Sequence, residues 1–119
     1  AGEGEVMDEA LHAAIAAVIP NCYGTVAPAN ALTPYVIWQR FGGDGPEYLD
    51  NEDSQVETAQ VQVQIFSLDI MEPKRLMSML ISALRLSQDL TIRPTGRWRD
   101  DYDHDMYLFV ADQDFEVSY

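Results

Sequence analysis

Cationic side chains are scarce in this chain. Seven lysines and arginines stand against 20 aspartates and glutamates among 119 residues, a formal net charge of -13 with the histidines neutral. Nucleic-acid binding through phosphates needs the opposite balance, because its affinity comes from counterions released by lysine and arginine. DNA near this protein is repelled. Cysteine is limited to Cys22, so no internal disulfide forms, and two histidines are too few for a metal cluster with thiolate ligands. A reducing compartment fits that usage. No apolar run approaches the roughly 20 residues that cross a bilayer. The opening AGEGEVMDEA also lacks the basic start and apolar middle of a secretory signal. The expectation is a soluble protein without a membrane partner. Internal repeats and low-complexity tracts are absent as well.

What is present suffices for a core, since 47% of the residues are hydrophobic in a chain the length of one ordinary domain. Residues 1–6 are small and acidic without periodicity and are expected to be disordered, which leaves residues 7–119 as a single domain. From Asp8, the residues Leu11, Ala14, Ile15 and Val18 fall at helical spacing, with Asp8 as N-cap and Pro20 as stop. PNCYGTVAPANALTP, residues 20–34, predicts an extended connection. YVIWQRF, residues 35–41, is β-branched and aromatic on both faces and predicts a strand with neighbours on either side.

A second strand is written in ETAQVQVQIFSLDI, residues 57–70, where Ala59, Val61, Val63 and Ile65 alternate with Thr58, Gln60, Gln62 and Gln64. One side of it faces a core. Asp69 and Glu72 stand at capping-box spacing, with Pro73 suited to a first helical turn, ahead of an apolar stripe of Leu76, Met77, Leu80, Ile81 and Leu84. The last third starts with a loop or short strand carrying Arg93, Arg97, Trp98 and Arg99, followed by a turn. Tyr107, Phe109, Ala111, Phe115, Val117 and Tyr119 then keep one parity, broken by Gln113, which predicts a long terminal strand with a bulge near Asp112. The fold class is α+β: a two-layer, mostly antiparallel sheet with two helices packed on one face, in the order α-β-β-α-β-β.

The candidate chemistry is thin. DDYDHDMY, residues 100–107, gathers oxygens for a hard cation, but an EF-hand begun at Asp101 would have Met106 where glycine is needed and Asp112 where a bidentate glutamate is needed. The expectation is a solvated turn whose acids lie near Arg97 and Arg99 across a hairpin. Cys22 has no basic neighbour in sequence to activate it, and His12 sits on a helix surface beside alanines. The chain contains neither G-x-S-x-G nor a phosphate-cradling loop. The reading is a protein that is not an enzyme, with no catalytic residue, metal or cofactor.

The amide row raises a sharper question. Copies of so acidic a chain must keep carboxylates out of their contacts, because closely opposed like charges are costly. Gln60, Gln62 and Gln64 can cross an interface without that cost and are the expected subunit contact. Five acids, Asp44, Glu47, Asp50, Glu52 and Asp53, gather in the long loop GGDGPEYLDNEDSQ and are expected on a rim or inner wall.

The succession of these stretches resembles the tail completion proteins of tailed phages, of the tail-terminator type. IPNCYGTVAPANALTPYVIWQRFGG is similar to the early segment of that family, in which a helix ends, a proline loop follows and Pro-Tyr opens a strand; here these are Pro28, Pro34 and Tyr35. VETAQVQVQIFSLD resembles its second strand, PKRLMSMLISALRL its following helix, and YDHDMYLFVADQDFEVSY its closing strand. Coverage runs from about Asp8 to Tyr119, with departures at Asp100 to Asp105 and in the loop after Phe41.

The resemblance implies a structural protein that closes as a ring, commonly a hexamer, on the tail tube, stops its growth and joins the tail to the head connector. Its partners would be its own copies, the tail-tube protein and the connector protein, and DNA would pass through without being bound. It would work in the bacterial cytoplasm during assembly and then in the virion tail. Repulsion between acidic subunits predicts a monomer in isolation. The alternative from another class is an acidic DNA mimic that inhibits a host DNA-binding protein, which would spread its carboxylates along one surface at phosphate-like spacing.

Overall fold

The computed structural model describes residues 3–43 and 58–118. Asp44, Glu47, Asp50, Glu52 and Asp53, the expected acidic rim, lie outside the described residues, as does Tyr119. Among those described, the elements are α1 (Glu3–Ala16), β1 (Cys22–Gly24), β2 (Tyr35–Gly43), β3 (Thr58–Ser67), α2 (Glu72–Arg85), β4 (Thr91–Asp103) and β5 (Leu108–Ser118). The strands form one sheet in the order β1-β2-β3-β5-β4, antiparallel at every junction except β1 with β2. This is the α+β arrangement that the periodicity predicts, with the short parallel strand β1 added.

Both helices lie on one face. Val61, Val63 and Ile65 of β3 and Phe115 and Val117 of β5 share a buried cluster with Leu11 and Ile15 of α1 and with Met77, Leu80 and Leu84 of α2. Each such aliphatic side chain contributes about 1.5–3 kcal/mol by leaving water. The alternation in β3 is therefore what aims the sheet at its helices, and an aspartate at Val63 would bury a charge between the layers.

Helix α1 corrects the expected start. It begins at Glu3, so Glu3–Val6 are helical instead of lying outside the fold, and Asp8 stands within the helix instead of capping it. The cause is tertiary: Met7 is 1% exposed and extends Leu11 and Ile15 into one i, i+4, i+8 stripe. Asp8 turns to Arg40 of β2 at 3.7 Å. The expected capping box also fails. The N-cap of α2 is Met71 without a side-chain cap, while Asp69 Oδ1 accepts the Met71 N–H at 3.1 Å and the Ser67 hydroxyl donates to Glu72.

The extended connection 20–34 contains β1, whose residues pair with Val36 to Trp38 of β2. Asn21 Nδ2 donates to the Leu32 carbonyl at 3.0 Å and folds the rest of the run back. Ala27 and Ala31 of that run rest on Tyr35, Phe66, Leu108 and Val110, a second buried cluster on the face away from the helices. Tyr35 stacks on Phe66 at 4.9 Å, and its phenol is pushed up first by burial, then by the charge of Asp103 and by Tyr23. Pro28 accepts the Ala31 N–H at 3.0 Å, and Pro34 joins Thr33 by a cis peptide just before Tyr35. Pro28 and Pro34 thus belong to the run that covers this end of the sheet, and Tyr35 to the strand it covers.

The expected short strand at Arg93 to Arg99 is one 13-residue edge strand, β4, reaching Asp103. Its ladder with β5 slips between Thr95 and Arg99, where Gly96 takes φ 69°, a value that favours glycine. The bulge is therefore on β4, and β5 runs unbroken past Asp112. Gln113, 3% exposed, lies opposite the slip. Its Nε2 donates to the carbonyls of Thr95 and Asp114, each at 2.9 Å. A polar side chain here replaces partners that the broken ladder withholds, which is why parity fails at this one position.

The β4–β5 turn also departs from expectation. Asp103 Oδ1 accepts the N–H groups of Asp105 and Met106 at 2.9 and 3.0 Å. Asp100 pairs with Lys74 of α2 at 3.5 Å, and Arg99 turns to β5. The turn acids are therefore not neutralised by Arg99; the side chain of Arg97 lies outside the description.

Candidate assembly interface

The pairing registers assign every side chain of the sheet to a face. Gln60, Gln62 and Gln64 stand on the face away from the helices, opposite Glu116, Asp114 and Asp112 of β5. Those in turn stand opposite Arg93, Thr95 and Arg99 of β4. Across the sheet the polar half of this face is thus zoned by strand: amides on β3, carboxylates on β5 and guanidiniums on β4. The three glutamines are brought together on one open face as their spacing predicts.

They do not form a charge-free face, however. Gln39 Nε2 donates to Gln62 Oε1 at 3.0 Å, and Gln62 Nε2 donates to both oxygens of Asp112 at 3.3 and 3.2 Å. Arg99 Nη2 reaches Asp112 at 3.2 Å and Asp114 at 3.7 Å. A second row runs from Gln60 Nε2 to Glu116 at 3.5 Å, and Glu116 receives Arg93. Among the described residues Gln64 makes no side-chain hydrogen bond. The premise that carboxylates are kept away from the amides is therefore overturned: Asp112 and Glu116 are held against them and offset from the far side by Arg99 and Arg93, while Asp114 faces Arg99 alone.

The signal for these acids was present. Asp112, Asp114 and Glu116 alternate with Ala111, Phe115 and Val117, and two strands that bury one face against the same helices must share the other. Exposed ion pairs of this kind are worth about 0–1 kcal/mol each. Their effect is on local charge: three carboxylates facing two guanidiniums leave one formal negative charge, on a chain that carries -13 in all. A contact made here meets far less repulsion than the chain as a whole implies.

Cys22 and His12 come close together on the other side of β2. The Trp38 indole N–H donates to His12 Nδ1 at 2.9 Å, and Cys22 Sγ lies 3.6 Å from the same nitrogen. This lone pair is occupied by a structural bond between α1 and β2. Burial pushes the Cys22 thiol up to about 11, so the pair holds a thiol and not a thiolate at neutral pH. The arrangement serves packing, and it does not generate a nucleophile.

Among the described residues no helix is long and apolar enough to cross a membrane. No curated protein matches the chain. In the solved virion of a native gene transfer agent (GTA) particle, one chain superposes with a TM-score of 0.51 at 18% identity, covering 87% of this chain and 82% of that one. That likeness is one of fold. The sequence pattern of the family described as "Tail completion protein gp17" matches residues 8–119, nearly the whole length. The chain belongs to this family of tail completion proteins, structural components of phage tails.

Proposed function

We propose that this protein caps the tail tube as a ring of its own copies, a hexamer, and joins the tube to the head connector. The observation that carries the reading is the family match over residues 8–119 on a chain whose amide and ion-pair rows on the open sheet face carry one formal negative charge against -13 overall. That face, with Gln60, Gln62 and Gln64 at its centre, is the proposed subunit contact. Asp44, Glu47, Asp50, Glu52 and Asp53 are proposed to line the lumen or its rim, where carboxylates repel passing phosphates within a Debye length of about 8–10 Å. DNA then slides through without being bound. Free subunits stay monomeric through their like charge and close only on a tube end, in the bacterial cytoplasm, before the completed tail joins the head.

Co-expression with the tail-tube protein of the same phage, followed by electron microscopy of tube ends, tests the reading. Tubes of uniform length with capped ends are expected with the protein present, and tubes of uncontrolled length without it. Equal tube lengths in both cases would overturn it.

A further inference from the structure

One end of the molecule is apolar in a way that packing does not explain. Leu68, Ile70 and Met71 of the loop after β3 are 70%, 53% and 58% exposed, and Met106 and Tyr107 of the β4–β5 turn are 49% and 71% exposed. A cavity of about 230 Å³ lies between loop and hairpin, lined by Ile70, Pro73, Tyr102, Phe109 and Val110, with the paired Lys74 and Asp100 and with Asp101 at its edge. On the open face a groove of about 600 Å³ has Phe66, Val110 and Met106 as its apolar floor and Gln64, Arg99, Asp103 and Asp112 along its walls. The two share Val110 on their apolar floor and Asp100 and Asp101 on their border, so they meet at one end of the molecule.

Its border is acidic. Among the described residues Asp69, Asp101, Asp103 and Asp105 carry no ion pair, while the nearby Lys74 and Arg99 are already engaged by Asp100 and by Asp112. Tyr107 adds a further observation. It takes φ 58°, where a non-glycine residue costs about 1–2 kcal/mol, yet it is among the most exposed large hydrophobic residues of those described. A large aromatic kept at a strained and solvent-facing position is better matched to recognition than to folding.

We propose that this end docks a second protein of the particle through an apolar anchor flanked by lysine or arginine. The proposal rests on the reading of the chain as an assembly component, and it names the chemistry of the partner. Apolar side chains of the partner fill the cavity and groove, and its cations meet Asp69, Asp101, Asp103 and Asp105. Charge selects this occupant. A second copy presenting the same end would set carboxylates against carboxylates, and a nucleic acid would set phosphates there.

The test uses the full chain, labelled for amide-detected NMR, and three synthetic helical peptides: one with leucine and tryptophan anchors flanked by lysines, one with the anchors replaced by serine, and one with the lysines replaced by glutamate. The first is expected to shift the amides of Ile70, Met71, Tyr102 and Tyr107 and to saturate; the other two bind at least about tenfold more weakly, as loss of one buried anchor or of the flanking charge requires. Tyr107→Gly, which relieves the φ strain, is expected to weaken the first peptide about tenfold without lowering the melting temperature. Equal binding of the serine peptide, shifts centred on Gln60 and Gln62, or unchanged affinity in Tyr107→Gly each overturns the proposal. Any of these leaves ring capping intact, because that is read separately from tube length.

Discussion

Replacing Gln62 by glutamate changes one atom type at the centre of the amide row, and the surrounding geometry sets the cost. In the native face the Gln62 amide donates to Asp112 at 3.3 and 3.2 Å and accepts from Gln39 at 3.0 Å. Gln62→Glu removes the donor to a charged acceptor, worth about 1.5–3 kcal/mol. It also brings a second carboxylate to within about 4 Å of the first, which costs about 1 kcal/mol at the dielectric of water and about 4 kcal/mol at an effective value of 20. Arg99, already on Asp112, offsets part of that charge. The expected net loss is about 2–4 kcal/mol at pH 7, measured by urea unfolding of the monomer, against about 1–2 kcal/mol for the uncharged Gln62→Met. The sign with pH follows from repulsion. Asp112 raises the pKa of the new glutamate above its unfolded value of about 4.3, so the penalty is full at high pH and fades as pH falls through the carboxylate range. High salt narrows the gap between the two variants. A Gln62→Glu protein as stable as the native one at pH 7 and low salt would refute the reasoning. The consequence for assembly experiments is direct: glutamates at Gln60, Gln62 and Gln64 disturb the monomer as well as any contact, so loss of rings in such a variant does not by itself locate the interface.

Gln113→Leu restores the apolar parity of β5 but strips the donors from the Thr95 and Asp114 carbonyls, and is expected to lose about 1–3 kcal/mol by urea unfolding; a gain would show that the slip in β4 satisfies itself. Burial raises the Cys22 thiol from 9.0 to about 11, so the native state holds that proton longer than the unfolded chain and the stability gained is lost as pH rises from 9 to 11. Unfolding titrations of the native protein and of Cys22→Ala over that range are expected to converge by about 1–3 kcal/mol, and parallel curves would count against the buried thiol.

The elements most legible in the sequence are those whose burial follows a strict period. Ala59, Val61, Val63 and Ile65 fix the inward face of β3, and Met77, Leu80 and Leu84 fix that of α2. Strand β1 was not legible, because three residues between prolines show no period and become a strand only by pairing with Val36 to Trp38. The start of α1 depends on Met7 finding the core, which the acidic residues before it conceal. The slip in β4 left its trace on the wrong strand, as Gln113, since the side chain that mends a broken ladder belongs to the neighbour. At the candidate interface, the outward direction of the glutamines was written in β3 itself. Their acidic and basic neighbours were written in β5 and β4, and only strand order joins the three.

The outer margin of β4 is unsuited to receiving a further strand. Pro94 has no N–H to offer, the ladder is offset near Gly96, and charged residues flank both halves of the strand. Neighbouring molecules cannot simply continue the sheet along that side into an open-ended ribbon. Attachment has to run through side chains instead, which lets the number of joined molecules be finite and leaves the joint responsive to ionic conditions.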